Sequence, residues 1–289
     1  MHKLLITIIL TFLPVFFVQA QHKKAFLVGI SHYDNAATNY EWNDIHGVED
    51  VRLISPLLKQ QGFSITELLD EKATYKQIKN GLSKFIASCK KGDIVYIHFS
   101  THGQPVEDKD GDEADSWDEA IVPVNAYKNY KRGKYEGECH LLDDELNSYL
   151  NTLRKKIGEK GYIYLVIDAC HAGTTSRGDE PTRGTMVGFT SNPKKQYNPP
   201  MERKNNYVIR QIKGYSPITY LEACRSDQIN RELKTKDGMY GALSYNIAQV
   251  IKTLKISSNS TSFVDAVKQS AKTKGNWPNN QNLVIETTM

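Results

Sequence analysis

Two residues in this sequence have side chains that together make a nucleophile and its base: Cys170 and His102. A free thiol has a pKa of about 8.5, so at neutral pH it needs a nearby base to act as a thiolate. Each residue follows an apolar run and has a glycine just beyond it. His102 comes after Asp93–Ser100 (DIVYIHFS) and precedes Gly103; Cys170 comes after Tyr162–Asp168 (YIYLVID), with Gly173 beyond it. Glycine lets a backbone approach a substrate closely. The N–H groups of Gly103 and Cys170 are therefore candidates for an oxyanion hole, a device worth roughly 3–4 kcal/mol. Taken singly, each side chain has an ordinary reading: a buried cysteine is usually inert core, and a buried histidine a satisfied polar group. The information lies in the pair.

The elements that must position this pair follow from periodicity. Lys24–Ile30 and Phe63–Leu69 read as strands, and Asp93–Ser100 and Tyr162–Asp168 as strands buried on both faces. Gly47–Gln61, Thr74–Cys89 and Asp143–Lys156 carry apolar residues at helical spacing, with Thr74 a candidate N-cap. Later strands are expected at Ile218–Ala223 and Leu283–Glu286, and helices around Tyr240–Leu254 and Phe263–Lys272. Strands alternating with helices imply βαβ units and a mainly parallel sheet, whose reactive groups sit at the carboxyl ends of the strands. Thr101-His102-Gly103 and Asp168-Ala169-Cys170-His171 occupy two such ends. Residues 174–214, rich in Gly, Pro, Asn, Lys and Arg, read as a surface loop and a proteolysis site.

Composition narrows the class. The chain has 289 residues, 39% hydrophobic and 24% charged, with a net charge of +4 and its basic residues dispersed. That suits a soluble globular protein and gives no ground for a nucleic-acid partner. Residues 1–20 have a short basic start, an apolar run and a small-residue site ending at Ala20, the pattern of a secretory signal peptide. The run is short for a bilayer span of about 20 residues. Export to the periplasm or outside the cell is expected, without stable membrane insertion. Cys89, Cys139, Cys170 and Cys224 fit neither a disulfide scaffold nor paired zinc ligands. A Cys89–Cys139 disulfide is compatible with an exported protein.

At four places the chain resembles the metacaspase branch of the caspase-like cysteine peptidases. Tyr96–Gly103 (YIHFSTHG) is similar to that family's strand ending in S-G-H-G, with Thr101 for the glycine. Val166–Gly173 (VIDACHAG) resembles its D-x-C-H-S-G, with Ala172 for the serine. Asp108–Ile121 resembles the acidic segment after the family's histidine, and Glu222–Gln228 (EACRSDQ) its S-A-C-x-x-x-Q strand end. These motifs run in order through most of the chain after residue 24. The resemblance implies an α/β fold, a caspase-like αβα sandwich on a mainly parallel six-stranded sheet. It implies a large half at 21–175, a basic linker at 176–214 and a small half at 215–289. It makes His102 the base and Cys170 the nucleophile, and Cys224 a structural cysteine. His171, beside Cys170, is a competing base, but its side chain is expected to point away.

The same resemblance implies a pocket for the residue before the cut, built from Asp50, Ser100 and Asp168. Ser100 and His102, like Asp168 and Cys170, are two apart and share a strand face. Carboxylates there favour Arg or Lys and repel Asp. The expected partners are peptides or proteins with Arg or Lys at the cut, and a monomer is expected. No cofactor is required for the chemistry. The acidic stretch from Asp108 to Glu119 suits a hard cation such as Ca²⁺, although it lacks the glycine and flanking helices of an EF-hand. The resemblance places a calcium site at Asp118, Asp143 and Asp144, with Asp179 a further candidate; a solvated acidic loop is the alternative. Arg177, Arg183, Lys194, Lys195, Arg203 and Lys204 offer sites for self-cleavage, giving a small fragment that begins near Tyr207. Two other readings remain at this level: an inactive caspase-like scaffold, and a peptidase of the clostripain or gingipain group.

Overall fold

The computed structural model describes residues 21–33, 42–170, 182–199, 201 and 204–288. The apolar leader and its expected cleavage point lie outside the described residues. Five strands run parallel because each is an apolar segment followed by a crossover: β1 (Lys23–Gly29), β2 (Phe63–Leu69), β3 (Ile94–Ser100), β7 (Tyr162–Asp168) and β9 (Ile218–Glu222). With β12 (Val284–Thr288) and β8 (Asn206–Ile209) they form one sheet in the order β2-β1-β3-β7-β9-β12-β8. β12 is antiparallel to β9, and β8 is parallel to β12. The sheet thus has seven strands where six were expected. The added strand, β8, is an edge strand with alternate residues exposed, so it leaves no apolar run in the sequence.

Helices cover both faces. Successive residues of β1 project to opposite sides. Phe26 and Val28 pack with α2 (Tyr75–Ser88) and α3 (Asp143–Ile157), through Ile78, Leu82, Leu150 and Leu153. Ala25 and Leu27 pack with α1 (Gly47–Gln60), α4 (Ala242–Ile251) and α5 (Ser260–Ala271), through Ile54, Leu58, Leu243 and Phe263. The result is the expected αβα sandwich. Thr74 caps α2, its hydroxyl oxygen accepting from Gln77 N at 3.3 Å. The acidic first turn and basic last turn of α3 complement its dipole. Among the described residues no helix is long and apolar enough to cross a membrane.

Register sets the site. β3 and β7 pair in parallel with Ser100 opposite Asp168, so the two strands end level. His102 and Cys170, each two residues farther on, leave the sheet side by side. Beyond the main sheet, β4 (His102–Glu107), β5 (Trp117–Val122) and β6 (Leu141–Leu142) form a small antiparallel sheet. β10 (Glu232–Thr235) and β11 (Gly238–Gly241) form a hairpin that pairs Glu232 with Gly241. The stretch expected to be a surface loop is therefore only partly one. Arg183 within it is fully buried, and residues 206–209 belong to the sheet.

Candidate active site

His102 opens β4 and is buried at 2% exposure. Its ring stacks on Trp42 with centroids 4.7 Å apart. Its backbone N–H donates to the Tyr33 hydroxyl at 2.8 Å, and that hydroxyl donates to Val122 O. Nε2 lies 2.8 Å from Asn43 O. A carbonyl only accepts, so Nε2 carries the proton and Nδ1 keeps a lone pair. Nδ1 is buried and has no hydrogen-bond partner among the described residues. Burial lowers the His102 pKa to about 4, so the ring is neutral at physiological pH.

Cys170 follows β7 and is likewise buried, beside Trp117, Tyr197, Cys224 and Met186. Its thiol donates to Gln228 O at 2.7 Å, and the Cys224 thiol lies 3.7 Å from the same oxygen. All four cysteines are free thiols. The Cys89–Cys139 disulfide is not formed: Cys89 Sγ donates to Phe85 O at 3.3 Å, and Cys139 Sγ accepts from Asn125 Nδ2 at 3.1 Å. His171, Arg177, Asp179 and Arg203 lie outside the described residues.

Asp50, Ser100 and Asp168 converge, and a guanidinium lies among them. Arg183 Nη1 donates to Asp50 Oδ2 at 2.7 Å and to Ser100 Oγ at 2.6 Å, and lies 3.6 Å from Asp168 Oδ1. Its Nε and Nη2 both donate to Glu232 Oε1, at 3.0 and 2.7 Å. The carboxylates are held in turn. Asp50 Oδ1 accepts from Gly241 N; Asp168 accepts from Asn230 Nδ2 and from both N and Oγ of Ser244, in the first turn of α4. Burial acts to raise Asp168 and Glu232. For Asp168, Arg183, Asn230 and Ser244 outweigh it; for Glu232, Arg183 and His46 do. Both carboxyls end below their ordinary range. For Asp50 burial prevails over Arg183, and its pKa rises to about 7. A β-carbon on Gly241 would fall 2.1 Å from Asp168 Oδ2 and 2.6 Å from Arg183 Nη1, so glycine keeps this space for the guanidinium.

The backbone of Arg183 is held as firmly as its side chain. Its carbonyl oxygen accepts from Cys170 N at 2.8 Å and, more weakly, from Gly103 N at 3.4 Å. Its N–H donates to Asn230 O at 3.0 Å, and Thr182 pairs antiparallel with Arg231. Gly184 bridges to both Gly103 and Cys170; a β-carbon there would lie 1.9 Å from Cys170 O. One residue thus places its cationic end in the acidic pocket and its carbonyl on the two N–H groups singled out in the sequence.

Glu232, Asn230 and Ser244 were not foreseen. Nothing in their local sequence marks them, because their partners come from distant segments. The acidic stretch is also rearranged. Asp118 lies with Asp108 and Asp112, and Asp144 with Asp110 and Asp112, each group within ligating reach. Asp143 belongs to neither group, and among the described residues its buried Oδ1 has no partner. The expected set Asp118, Asp143 and Asp144 is thus not the set brought together.

A sandwich of this topology, with a histidine and a cysteine at adjacent strand ends, defines the caspase class. The caspase-domain model of the C14 peptidases matches residues 22–283, and the chain belongs to that family. Several curated metacaspases are similar to it. Metacaspase-1 of Schizosaccharomyces pombe is 24% identical over 272 residues, 79% of this chain and 60% of that protein. Metacaspase-1 of Arabidopsis thaliana is 23% identical over 280 residues, 92% of this chain and 69% of that one. Metacaspase-1 of Plasmodium falciparum is 24% identical over 260 residues, 86% of this chain and 37% of that one. The chain thus spans only part of the length of these relatives. Among solved structures, a protein of Geobacter sulfurreducens superposes with a TM-score of 0.62 at 19% identity, over 92% of this chain and 93% of that one. Pro-sf-caspase-1 superposes with a TM-score of 0.50 at 13% identity, over 93% and 90%. These two share the fold.

Proposed function

We propose that this protein is an exported cysteine endopeptidase that cuts after basic residues, with Cys170 as nucleophile and His102 as base. The observation that carries the reading is Arg183. It lies as the residue before a cut would lie, its guanidinium among Asp50, Ser100, Asp168 and Glu232 and its carbonyl on the N–H groups of Gly103 and Cys170.

In this reading His102 Nδ1 takes the Cys170 proton, and the thiolate adds to the carbonyl carbon. The oxyanion that forms is held by Gly103 N–H and Cys170 N–H. His102 returns the proton to the leaving amine as the C–N bond breaks, leaving a thioester. Water, deprotonated by His102, then releases the acid and restores the thiol. None of these steps uses a cofactor.

The first substrate of such a site is the chain itself. In this reading the bond cut is Arg183–Gly184 rather than one near Tyr207, where a cut would open strand β8. Until that bond is cut, Arg183 fills the pocket and Met186 and Tyr197 pack against Cys170, which is the arrangement of a zymogen. The acidic edge suits a hard cation by its donors, which are all carboxylate oxygens. Asp108, Asp112 and Asp118 would hold Ca²⁺ there, and it would relieve their repulsion and steady the β4–β5 turn.

A panel of fluorogenic peptides ending in Arg, Lys or Asp, run with and without Ca²⁺ on wild type and Cys170→Ala, tests this reading. Cleavage of the basic peptides by wild type alone is expected. Preference for Asp, or equal activity in Cys170→Ala, would overturn it.

A further inference from the structure

The pocket has two separate acidic walls, and they do different things. One wall, formed by Asp50, Ser100 and Asp168, faces Nη1 of Arg183. The other is Glu232, whose Oε1 receives both Nε and Nη2. Glu232 is itself fixed from outside. Its Oε1 accepts from His46 N at 2.7 Å and its Oε2 bonds His46 Nδ1, so the residue preceding α1 aligns a side chain of β10. Glu232 and Arg183 are both fully buried at the side chain, while His46 is partly exposed.

We propose that Glu232, positioned by His46, makes this pocket selective for arginine over lysine. The inference rests on the peptidase reading above and deepens it. A guanidinium is a planar fork whose two edges can meet two walls at once. A lysine ammonium is a single compact charge. Seated against Asp50 and Ser100 it leaves Glu232 with its His46 bonds but without the guanidinium. Seated against Glu232 it leaves Asp50 and Ser100 without their donor. Either way one buried carboxylate loses its guanidinium, a costly mismatch in a desolvated site. A pocket with the first wall alone would accept both residues, so the discrimination comes from the second.

The test uses the purified full chain and two fluorogenic peptides identical except for Arg or Lys before the reporter. Wild type should favour Arg in kcat/KM by about a hundredfold or more. Glu232→Gln, which keeps the shape, should lose most of the Arg rate while the Lys rate changes severalfold at most, bringing the ratio within about tenfold. His46→Ala should raise KM for the Arg peptide with kcat little changed, the mark of a positioning residue. Labelling of Cys170 by iodoacetamide reports which variants keep a folded site. If Glu232→Gln fails to fold, the wild-type ratio still decides. Equal use of Arg and Lys by wild type, or an unchanged ratio in a folded Glu232→Gln, overturns this inference and leaves the peptidase reading standing. Cleavage of neither peptide overturns the peptidase reading, and this inference with it.

Discussion

The pocket and the β5–α3 edge are both built from aspartate and glutamate, and they treat those residues in opposite ways. In the pocket, Asp168 and Glu232 are buried yet held below their ordinary pKa range, because Arg183 and directed N–H and O–H donors outweigh the cost of burial. At the edge, burial and neighbouring carboxylates push Asp118 up to about 7, Asp143 to about 6 and Glu119 well above its usual range. Among the described residues no salt bridge joins these three to a cation. The difference teaches that a cluster of acids becomes a binding pocket when it is closed by donors and a counter-charge. Otherwise it is a store of repulsion that an added cation can relieve. Asp50 stands between the cases, bonded to Arg183 but still raised to about 7.

Removing the counter-charge should break the contrast most severely. Arg183→Ala leaves three buried carboxylates around an empty space. It should cost about 3–5 kcal/mol of stability in thermal or denaturant melts, with partial recovery on adding millimolar free arginine. The loss should depend on pH. Asp50 already has a raised folded pKa, and without Arg183 it goes higher, while the unfolded chain titrates near 4. Wild type also protonates Asp50 near 7, so the extra proton uptake of the folded variant comes from Asp50 above 7 and, at lower pH, from Asp168 and Glu232, which Arg183 no longer holds down. Stability therefore rises as pH falls from 8 toward 5, so the deficit against wild type shrinks. A deficit that grows over that range would contradict the pocket described here.

At the edge the opposite outcome is expected. Asp118→Asn should stabilise the protein at pH 8, by about 1 kcal/mol after solvent screening. The gain should fade as pH drops below 7, because the wild-type carboxyl then protonates in the folded state. Melts of the pair at pH 8 and pH 5 measure both effects. The smallest effect should be that of Ca²⁺: millimolar calcium raises the wild-type melting temperature by about 2 °C at pH 8 and shifts Asp118→Asn less. An equal shift in both proteins would remove Asp118 from the site.

The frame of the molecule was legible in the sequence because β3 and β7 are apolar on both faces, and such runs announce themselves. The pairing of His102 with Cys170 was foreseeable from their places after two buried strands, and that of Ser100 with Asp168 from the family resemblance together with their two-residue spacing. β8 was not legible, since an edge strand with alternate residues exposed carries no apolar signal. Glu232 was missed for another reason: its meaning depends on Arg183, which lies 49 residues away. Arg183 in turn was one of eight basic residues in a polar stretch, and nothing local marks it as the buried one. Long-range ion pairs leave no periodicity. The acidic residues were visible as a group, but their partition was set by a turn whose path the sequence does not encode in any simple pattern.

The central claim is that Arg183 lies in the pocket as the residue before the cut. Incubating wild type and Cys170→Ala and reading the new N-termini by mass spectrometry tests it most directly. Wild type should yield a fragment beginning at Gly184, and Cys170→Ala should stay whole at that bond. A fragment beginning elsewhere in wild type, or the same Gly184 end in Cys170→Ala, would contradict the account.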